Sequence, residues 1–360
     1  MYGALQRRVA ALTEAGLRRE LRSLQMTSPT SGTLDGHSVE VFCANDYLGL
    51  AHHPEVVAAY QGAGAGAARL ISGNRPAHVA LEAALTELYG RPATLMSSGY
   101  HANLALLSTV LESGDVVASD ALNHASIIDG LRLSRAERVV VPHADAKAVP
   151  KDATMVVLEG LYSMDGDVPD LAAYQSEGRW MAVDEAHAFG AIGPQGRGVA
   201  AQQGIEPDFV IGTLGKALGV YGAFVVGPPV LRELLVSRGR SFIFTTGLPE
   251  PVAQAALVAL RLANDERRQQ LDSRVRRLRK GLSDLGLAAE DGHHIVPVQL
   301  GERTMHVAQR LLERGYWVAG IRPPTVAAGT ERLRITVSAA HTDTQIDGLL
   351  EAIDKEVSRD

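Results

Sequence analysis

The chain of 360 residues has a single cysteine, no excess of basic residues and no long apolar run. One cysteine, Cys43, excludes a disulfide within the chain and fits a reducing compartment. Lys and Arg number 35 against 41 Asp and Glu, so the net charge of -6 offers no basic field to nucleic acid or an anionic membrane. The first residues lack the apolar core of a signal peptide, and no run reaches the roughly 18 apolar residues that span a bilayer. We therefore expect a soluble, cytoplasmic protein whose partners are small molecules or a second copy of the chain.

Short β-rich runs alternate with helical stretches between about residues 75 and 225. The predicted strands are 93–96, 115–119, 138–142, 154–158, 180–183, 209–211 and 223–226. This alternation is typical of an α/β protein with a mostly parallel sheet covered by helices.

The two ends of the chain have a different texture. Residues 3–25 have the spacing of a helix, and residues 27–37 are rich in turn formers throughout. After residue 250 we expect one long charged helical region through Leu287, strands at 295–300, 316–321 and 332–338, a helix near 303–314 and a final amphipathic helix. The predicted parts are an N-terminal segment (1–45), a large domain (46–250) and a smaller α+β domain (251–360).

A lysine and an aspartate follow two of the predicted strands. Lys216 comes just after residues 209–211, and Asp184 with His187 ends the apolar run at 180–183. Open α/β sheets bind ligands at the carboxyl ends of their strands. Each residue alone has an ordinary explanation, since lysines are mostly solvated and an Asp can cap the following turn. A metal pair is a rival interpretation of Asp184 and His187, but no third ligand follows at zinc-like spacing, so we expect no metal.

A lysine amine near a buried carboxylate is the arrangement in which lysine bonds to pyridoxal 5′-phosphate (PLP) and the carboxylate keeps the pyridine nitrogen protonated. That hypothesis requires a phosphate site. Ser97-Ser98-Gly99-Tyr100 provides one between a predicted strand and a helical run, where free N–H groups and the helix dipole favour an anion. A simple serine N-cap explains the same segment equally well.

Further strand ends carry groups suited to a flat ring. His124 lies beyond residues 115–119 and could stack on such a ring, although a lone histidine is more often structural. Ser163 follows residues 154–158 and could donate a hydrogen bond to a ring oxygen. A chance coincidence of all these strand ends is much less probable than any single one.

Six segments, in order along the chain, together resemble one known family. They are Asn45-Asp-Tyr-Leu-Gly-Leu50, Asn123-His-Ala-Ser-Ile127, Glu159-Gly160 with Ser163-Met-Asp-Gly166, Val183-Asp-Glu-Ala-His187, Thr213-Leu-Gly-Lys216 and Arg322-Pro-Pro-Thr325. The set resembles the α-oxoamine synthases, which are fold-type I PLP enzymes, over about residues 40 to 340. A joint set of this length is far more specific than a short motif.

The resemblance implies a role for each matching residue. Lys216 would form the Schiff base with PLP and move protons, Asp184 would pair with the pyridine nitrogen, and His124 would stack on the ring. The other implied contacts are His187 and Ser163 on the ring oxygen side, and Gly99, Tyr100 and Thr213 on the phosphate. Asn45 and Arg322 would hold the carboxylate of the amino acid, the guanidinium suiting a bidentate grip, and Thr325 would also contact the substrate. Thr245 and Thr246 would reach the phosphate of the neighbouring subunit, which implies a homodimer with shared active sites.

The implied reaction is a PLP-dependent decarboxylative condensation of an amino acid with an acyl-CoA. Length and the segment from Ile321 to Ile335 most resemble the branch that joins L-alanine to a pimeloyl thioester in biotin biosynthesis, where Arg22 would meet the acyl carboxylate. The alternatives are another branch, which would use glycine or serine with a different thioester, and a non-catalytic subunit. A dinucleotide-dependent dehydrogenase fits less well because the glycines at 62–66 follow a helical segment instead of a strand.

Overall fold

The structure, a computed structural model, describes residues 2–287 and 291–358. Its strands in chain order are β1 (Leu24–Met26), β2 (Ser31–Leu34), β3 (His37–Val41), β4 (Ala93–Met96), β5 (Val116–Asp120), β6 (Glu137–Val141), β7 (Met155–Glu159), β8 (Trp180–Asp184), β9 (Phe209–Thr213), β10 (Ala223–Val226), β11 (Ile295–Gln299), β12 (Tyr316–Trp317), β13 (Ala319–Ile321) and β14 (Arg332–Thr336).

The α-helices are α1 (Tyr2–Glu14), α2 (Pro54–Ala58), α3 (Pro76–Tyr89), α4 (Gly99–Val110), α5 (Ala125–Ser134), α6 (Val199–Gln202), α7 (Pro229–Arg238), α8 (Arg240–Ile243), α9 (Glu250–Leu262), α10 (Asp265–Asp284), α11 (Thr304–Glu313) and α12 (Asp343–Val357). A π-helical turn covers Arg69–Gly73, and short 3-10 turns cover Ala146–Ala148, Leu171–Tyr174, Pro194–Gly196 and Gly301–Arg303. None of the helices in the described part of the chain combines the length and the apolarity that crossing a bilayer requires.

A seven-stranded sheet in the order β4-β10-β9-β8-β7-β5-β6 forms the centre of the molecule. Strands β5 to β9 pair in parallel, whereas β10 is antiparallel to both of its neighbours. All seven strands predicted between residues 93 and 226 are present, and β10 matches its predicted bounds at both ends. The prediction of an α/β fold with a mostly parallel, helix-covered sheet is confirmed.

Apolar side chains of the sheet are buried on both faces. In β7, Val157 packs with Leu107 and Ile127 on one face, whereas Val156 and Leu158 pack on the other. Continuous burial of this kind is what a parallel sheet between two helix layers requires, and it leaves the strand ends as the natural place for polar groups.

The N-terminal prediction was wrong in two respects. Helix α1 ends at Glu14 instead of residue 25, and Gly16 follows in the left-handed conformation with φ of 66°. The segment predicted as a loop at 27–37 contains β2, which pairs with β1 and β3. Gly32 allows this close pairing, because a Cβ at that position would lie 2.8 Å from the carbonyl oxygen of Gln25.

The C-terminal half differs from the prediction at two breaks. The long helical region is two helices, because the Asn264 side chain caps a new helix by accepting a hydrogen bond from the N–H of Arg267 at 3.0 Å. The strand predicted at 316–321 is split between sheets: β12 pairs with β3, and β13 pairs with β14. The domain boundaries at residues 45 and 250 stay predictions.

Candidate active site

The carboxyl ends of three neighbouring parallel strands bring together acidic and hydroxyl side chains. Glu159 ends β7, Asp184 ends β8 and Thr213 ends β9. Glu159 and Asp184 are direct partners in the strand register, and both are buried. Lys216 follows β9 by three residues, so its amine comes to the same edge, as the sequence indicated.

Lys216 is half-buried beside these two carboxylates. Burial lowers the pKa of the Lys216 amine, while the charges of Asp184 and Glu159 oppose this shift. Burial also raises the pKa of Glu159, and the nearby Asp184 charge acts in the same direction. Among the described residues no carboxylate pairs with Nζ within 4.0 Å, and the lowered pKa favours the neutral amine, which is the form that acts as a nucleophile or base.

Asp184 is held by neutral donors. Asn103 donates from Nδ2 to Asp184 Oδ2 at 2.7 Å, and the N–H of Ala186 donates to Oδ1 at 2.9 Å. No Lys, Arg or His nitrogen of the described part of the chain pairs with this carboxylate within 4.0 Å. A buried carboxylate without a cation is costly unless a ligand supplies the positive charge.

His124 is the N-cap of α5, and its side chain is exposed at the same edge. Its backbone N–H donates to Glu159 Oε1 at 2.6 Å, and its Nδ1 contacts Ser126 Oγ at 2.7 Å. Partial burial lowers the pKa of His124. The charge of Asp184 opposes this shift, whereas the charge of Lys216 adds to it. The imidazole is therefore fixed in place and neutral at physiological pH, which suits stacking on a ring.

His187 and Asn45 belong to a second, buried set of contacts. His187 Nδ1 lies 2.7 Å from the hydroxyl of Tyr47, which is 3.1 Å from Asn45 Oδ1. Arg334 Nη2 donates to the same Asn45 oxygen at 3.4 Å, and its Nε donates to the carbonyl of Ser163. Burial sets the pKa of His187 well below its usual range, helped by the charges of Lys216 and Arg334.

The predicted phosphate site lies at the start of α4. Ser98 is the N-cap and accepts from the N–H of His101 at 3.2 Å, so Gly99 and Tyr100 occupy the first turn, whose N–H groups have no partner inside the helix. A Cβ at Gly99 would meet nothing within 4 Å, so the space above this turn is open. The hydroxyls of Tyr100 and Thr213 are engaged elsewhere, with Asp129 and with the carbonyl of Gly222.

The segment with Thr245 and Thr246 is anchored behind this phosphate site. The N–H of Gly247 donates to the carbonyl of Ala67 at 3.0 Å. Thr245 is half-buried and lines a small cavity with Ser97, whereas Thr246 is exposed.

Arg22, Arg322 and Thr325 line a different surface. They border a groove of about 1000 Å³ whose walls include Trp317 and Met305. Arg22 is also paired with Asp35 at 2.6 Å. Neither Lys216 and Asp184 nor the two residues that donate to Asp184, Asn103 and Ala186, belong to this lining.

Four residues of the site were given no role in the sequence predictions: Tyr47, Asn103, Glu159 and Arg334. Tyr47 and Glu159 do lie in segments that carry the family resemblance. Arg334 had the clearest sequence signal, because Arg332 and Arg334 alternate with Leu333 and Ile335 in one strand. This alternation places two buried cations on one face of the strand. Within the described residues, no group of His, Cys, Asp or Glu is arranged to hold a metal ion.

Comparisons with known proteins agree with this geometry. Residues 38–353 match the family described as aminotransferase class I and II. The 8-amino-7-oxononanoate synthase of Alkalilimnicola ehrlichii is 45% identical over 98% of both chains, and that of Methylococcus capsulatus is 45% identical over 92% of both.

Solved structures agree as well. The serine palmitoyltransferase of Sphingomonas wittichii superposes with a TM-score of 0.91 at 34% identity, covering 99% of this chain and 96% of that one. Another serine palmitoyltransferase structure, solved with PLP, has a TM-score of 0.91 at 34% identity and covers 99% of this chain and 97% of that one. The chain belongs to the aminotransferase class I and II family and, within it, to the α-oxoamine synthases.

Proposed function

We propose that this protein condenses L-alanine with a pimeloyl thioester, releasing CO2 and the thiol carrier, and so forms 8-amino-7-oxononanoate in biotin biosynthesis. The observation that carries the proposal is a half-buried lysine of lowered pKa beside a buried aspartate that has no cationic partner in the described chain. The choice of branch is supported by sequence relatives of that name at 45% identity, compared with 34% for the serine palmitoyltransferases.

The cofactor is PLP, and the residues of the site fit it. Asp184 lacks a cation, the first turn of α4 offers unpaired N–H groups beside open space, and Lys216 provides an amine. When bound, PLP supplies a protonated pyridine ring that accepts the electron pair left at the α-carbon of the substrate.

The protein's own groups would divide the remaining work. Lys216 Nζ would hold the cofactor covalently and, once released, take and return the proton at the substrate α-carbon. Asp184 would keep the pyridine nitrogen protonated, and His124 would stack on the ring. The remaining cofactor contacts are assigned to His187 and Ser163 at the ring oxygen, and to Gly99, Tyr100 and Thr213 at the phosphate. A contact from Thr213 Oγ1 requires its hydroxyl to turn away from Gly222.

Arg334 and Asn45 would hold the carboxylate of the amino acid. Arg334 is 6% exposed, and no carboxylate of the described residues pairs with it, so a buried guanidinium awaits an anion. Its charge lowers the pKa values of both Lys216 and His187, and its Nη2 donates to Asn45 Oδ1 at 3.4 Å, which supports a role beside Asn45. Arg322 and Thr325, in the exposed groove, stay predicted substrate contacts.

Replacing Arg334 by lysine should raise KM for the amino acid about ten- to a hundredfold, because the planar guanidinium fork is lost. This corresponds to the roughly 1.5–3 kcal/mol of a hydrogen bond to a charged group. Steady-state kinetics at saturating thioester measures the change. The matched variant is Arg322→Lys, which should have the smaller effect. A larger rise in KM for Arg322→Lys would return the carboxylate to Arg322 and contradict the assignment to Arg334.

The groove with Arg22 would accept the acyl chain. Its apolar wall residues, among them Leu12, Leu17 and Trp317, suit a methylene chain, and Arg22 could meet a terminal carboxylate. Arg22 must share its guanidinium with Asp35 to do so. The carrier of the acyl group is either CoA or a carrier protein.

A homodimer with shared sites would complete the phosphate pocket through Thr245 and Thr246 of a second copy. The neighbouring side chains Phe244 and Ile71 are 71% and 81% exposed, and burial by a second copy would remove this apolar surface from water. We also propose a cytoplasmic location, which is consistent with the single, unpaired Cys43.

The function is tested by measuring thiol release from pimeloyl, acetyl, succinyl and palmitoyl CoA with alanine, glycine or serine as the acceptor. Alanine with pimeloyl CoA should be the best pair. A preference for glycine or serine, or for another thioester, would move the protein to another branch of the family. Absence of release with every pair, although PLP is bound, would favour a non-catalytic subunit.

A further inference from the structure

Tyr47 occupies a position in the site that no proposed role yet explains. Its side chain is fully buried, and its ring lies over His294 with a centroid distance of 4.0 Å. The hydroxyl has two possible acceptors among the described residues, His187 Nδ1 at 2.7 Å and Asn45 Oδ1 at 3.1 Å, and the Arg334 guanidinium, which can only donate, lies beside it. Because a phenol has one proton, it can donate to only one of them at a time.

The surroundings favour donation to His187. Asn45 Oδ1 already accepts from Arg334 Nη2, whereas no other donor reaches His187 Nδ1 in the described part of the chain. A distance of 2.7 Å is typical of an O–H donor and short for an N–H donor. Both partners are neutral at physiological pH, because burial raises the pKa of Tyr47 to about 12 and sets the pKa of His187 well below its usual range.

The position of the His187 proton follows from this hydrogen bond. A neutral imidazole has one N–H, so an accepting Nδ1 requires the proton to be on Nε2. His187 Nε2 makes no hydrogen bond to the described residues, which leaves it free to donate to a ligand. The backbone is held as well, since His294 Nε2 donates to the carbonyl of His187 at 3.0 Å.

We propose that Tyr47 is a positioning residue that donates its hydroxyl proton to His187 Nδ1 and so fixes the tautomer in which Nε2 carries the proton. This inference rests on the proposed function in one respect, the identity of the group that Nε2 contacts, which would be the ring oxygen of the cofactor. That oxygen accepts hydrogen bonds, so the nitrogen that faces it must carry a proton. The groups that face His187 are the cations Lys216 and Arg334 and the histidines His124 and His294. The two cations oppose protonation of the imidazole, so the neutral tautomer persists without a counter-ion.

The tautomer is measured directly by nitrogen NMR of the protein with labelled histidine, with and without PLP. The His187 signals are assigned by their loss in His187→Gln. In the wild type, Nε2 should be protonated and Nδ1 unprotonated. In Tyr47→Phe, the proton should be shared between the two nitrogens. A wild-type spectrum with Nδ1 protonated, or the same tautomer in Tyr47→Phe, would overturn the proposal.

Tyr89→Phe is the matched control, because it removes a buried hydroxyl that donates to the carbonyl of Arg197, away from His187. It should leave the His187 tautomer and kcat close to those of the wild type. Tyr47→Phe should lower kcat about ten- to a hundredfold, the loss known for partners that orient functional histidines in metal sites, with little change in KM for the amino acid. An unchanged kcat in Tyr47→Phe would show that Tyr47 has no role in the reaction. Failure of the wild type to turn over any thioester would count against the proposed function and leave the NMR result standing. Should Tyr47→Phe not fold, the wild-type spectrum alone decides the tautomer.

Discussion

Replacing Lys216 by alanine should abolish the condensation, with kcat falling on the order of 10⁴-fold or more, while the protein stays folded. A fall in kcat of this size is expected because one substitution removes both functions of Lys216, the covalent bond to the cofactor and the transfer of protons. Stability should change little, because the amine has no ion-pair partner in the described chain and its burial already opposes its charge.

Borohydride reduction followed by peptide mass spectrometry measures the covalent bond itself. The wild type should retain reduced PLP on the peptide that contains Lys216, and Lys216→Ala should retain none. Lys280→Ala is the matched control, since this lysine is exposed on α10 and, among the residues that the structure describes, pairs with Asp284 alone. Retention of covalent PLP in Lys216→Ala, or trapping at a different lysine in the wild type, would show that another amine holds the cofactor.

The parts of the site that could be predicted from sequence are those that follow a strand. Asp184 and Thr213 end apolar runs, and Lys216 follows one by three residues, so the local pattern alone puts them at the ligand-binding edge. The same reasoning gave the seven strands of the central sheet, because a buried parallel strand is recognisable from its own residues.

The rest depends on contacts between distant parts of the chain. Tyr47 meets His187 across 140 residues, and Arg334 meets Asn45 across 289. No local periodicity specifies such partners, because they are set by how β14 and the segment after β3 pack against the central sheet. The ends of α1 and β2 were mispredicted for a related reason. Gly16 stops a helix by its backbone conformation, and Gly32 permits a strand pairing that the turn-rich composition around it disguises.

Asp184→Asn should lower kcat on the order of 100- to 1000-fold, which is typical for removing one preorganised charged or dipolar group. The charge of Asp184 raises the pKa of Lys216, so its removal should lower that pKa further. Any limb of the pH profile that reports Lys216 should therefore move to lower pH, and a move to higher pH would contradict this electrostatic role of Asp184. A pH–rate profile and the visible spectrum of the PLP-loaded variant measure the two effects.

The apo form of the same variant separates catalysis from folding. A buried carboxylate held only by neutral donors is costly, so the neutral amide should leave the free energy of unfolding unchanged or higher. Asn103 can adapt, because its Oδ1 is buried without a partner, and a flip of its amide would let that oxygen accept from the new Nδ2. Asp208→Asn is the matched control, since Asp208 precedes β9 at the opposite edge of the sheet and accepts from the N–H of Met181 at 2.8 Å. It should retain kcat. A loss of stability in apo Asp184→Asn with normal turnover in the folded fraction would make Asp184 a structural residue and would contradict its pairing with the pyridine nitrogen.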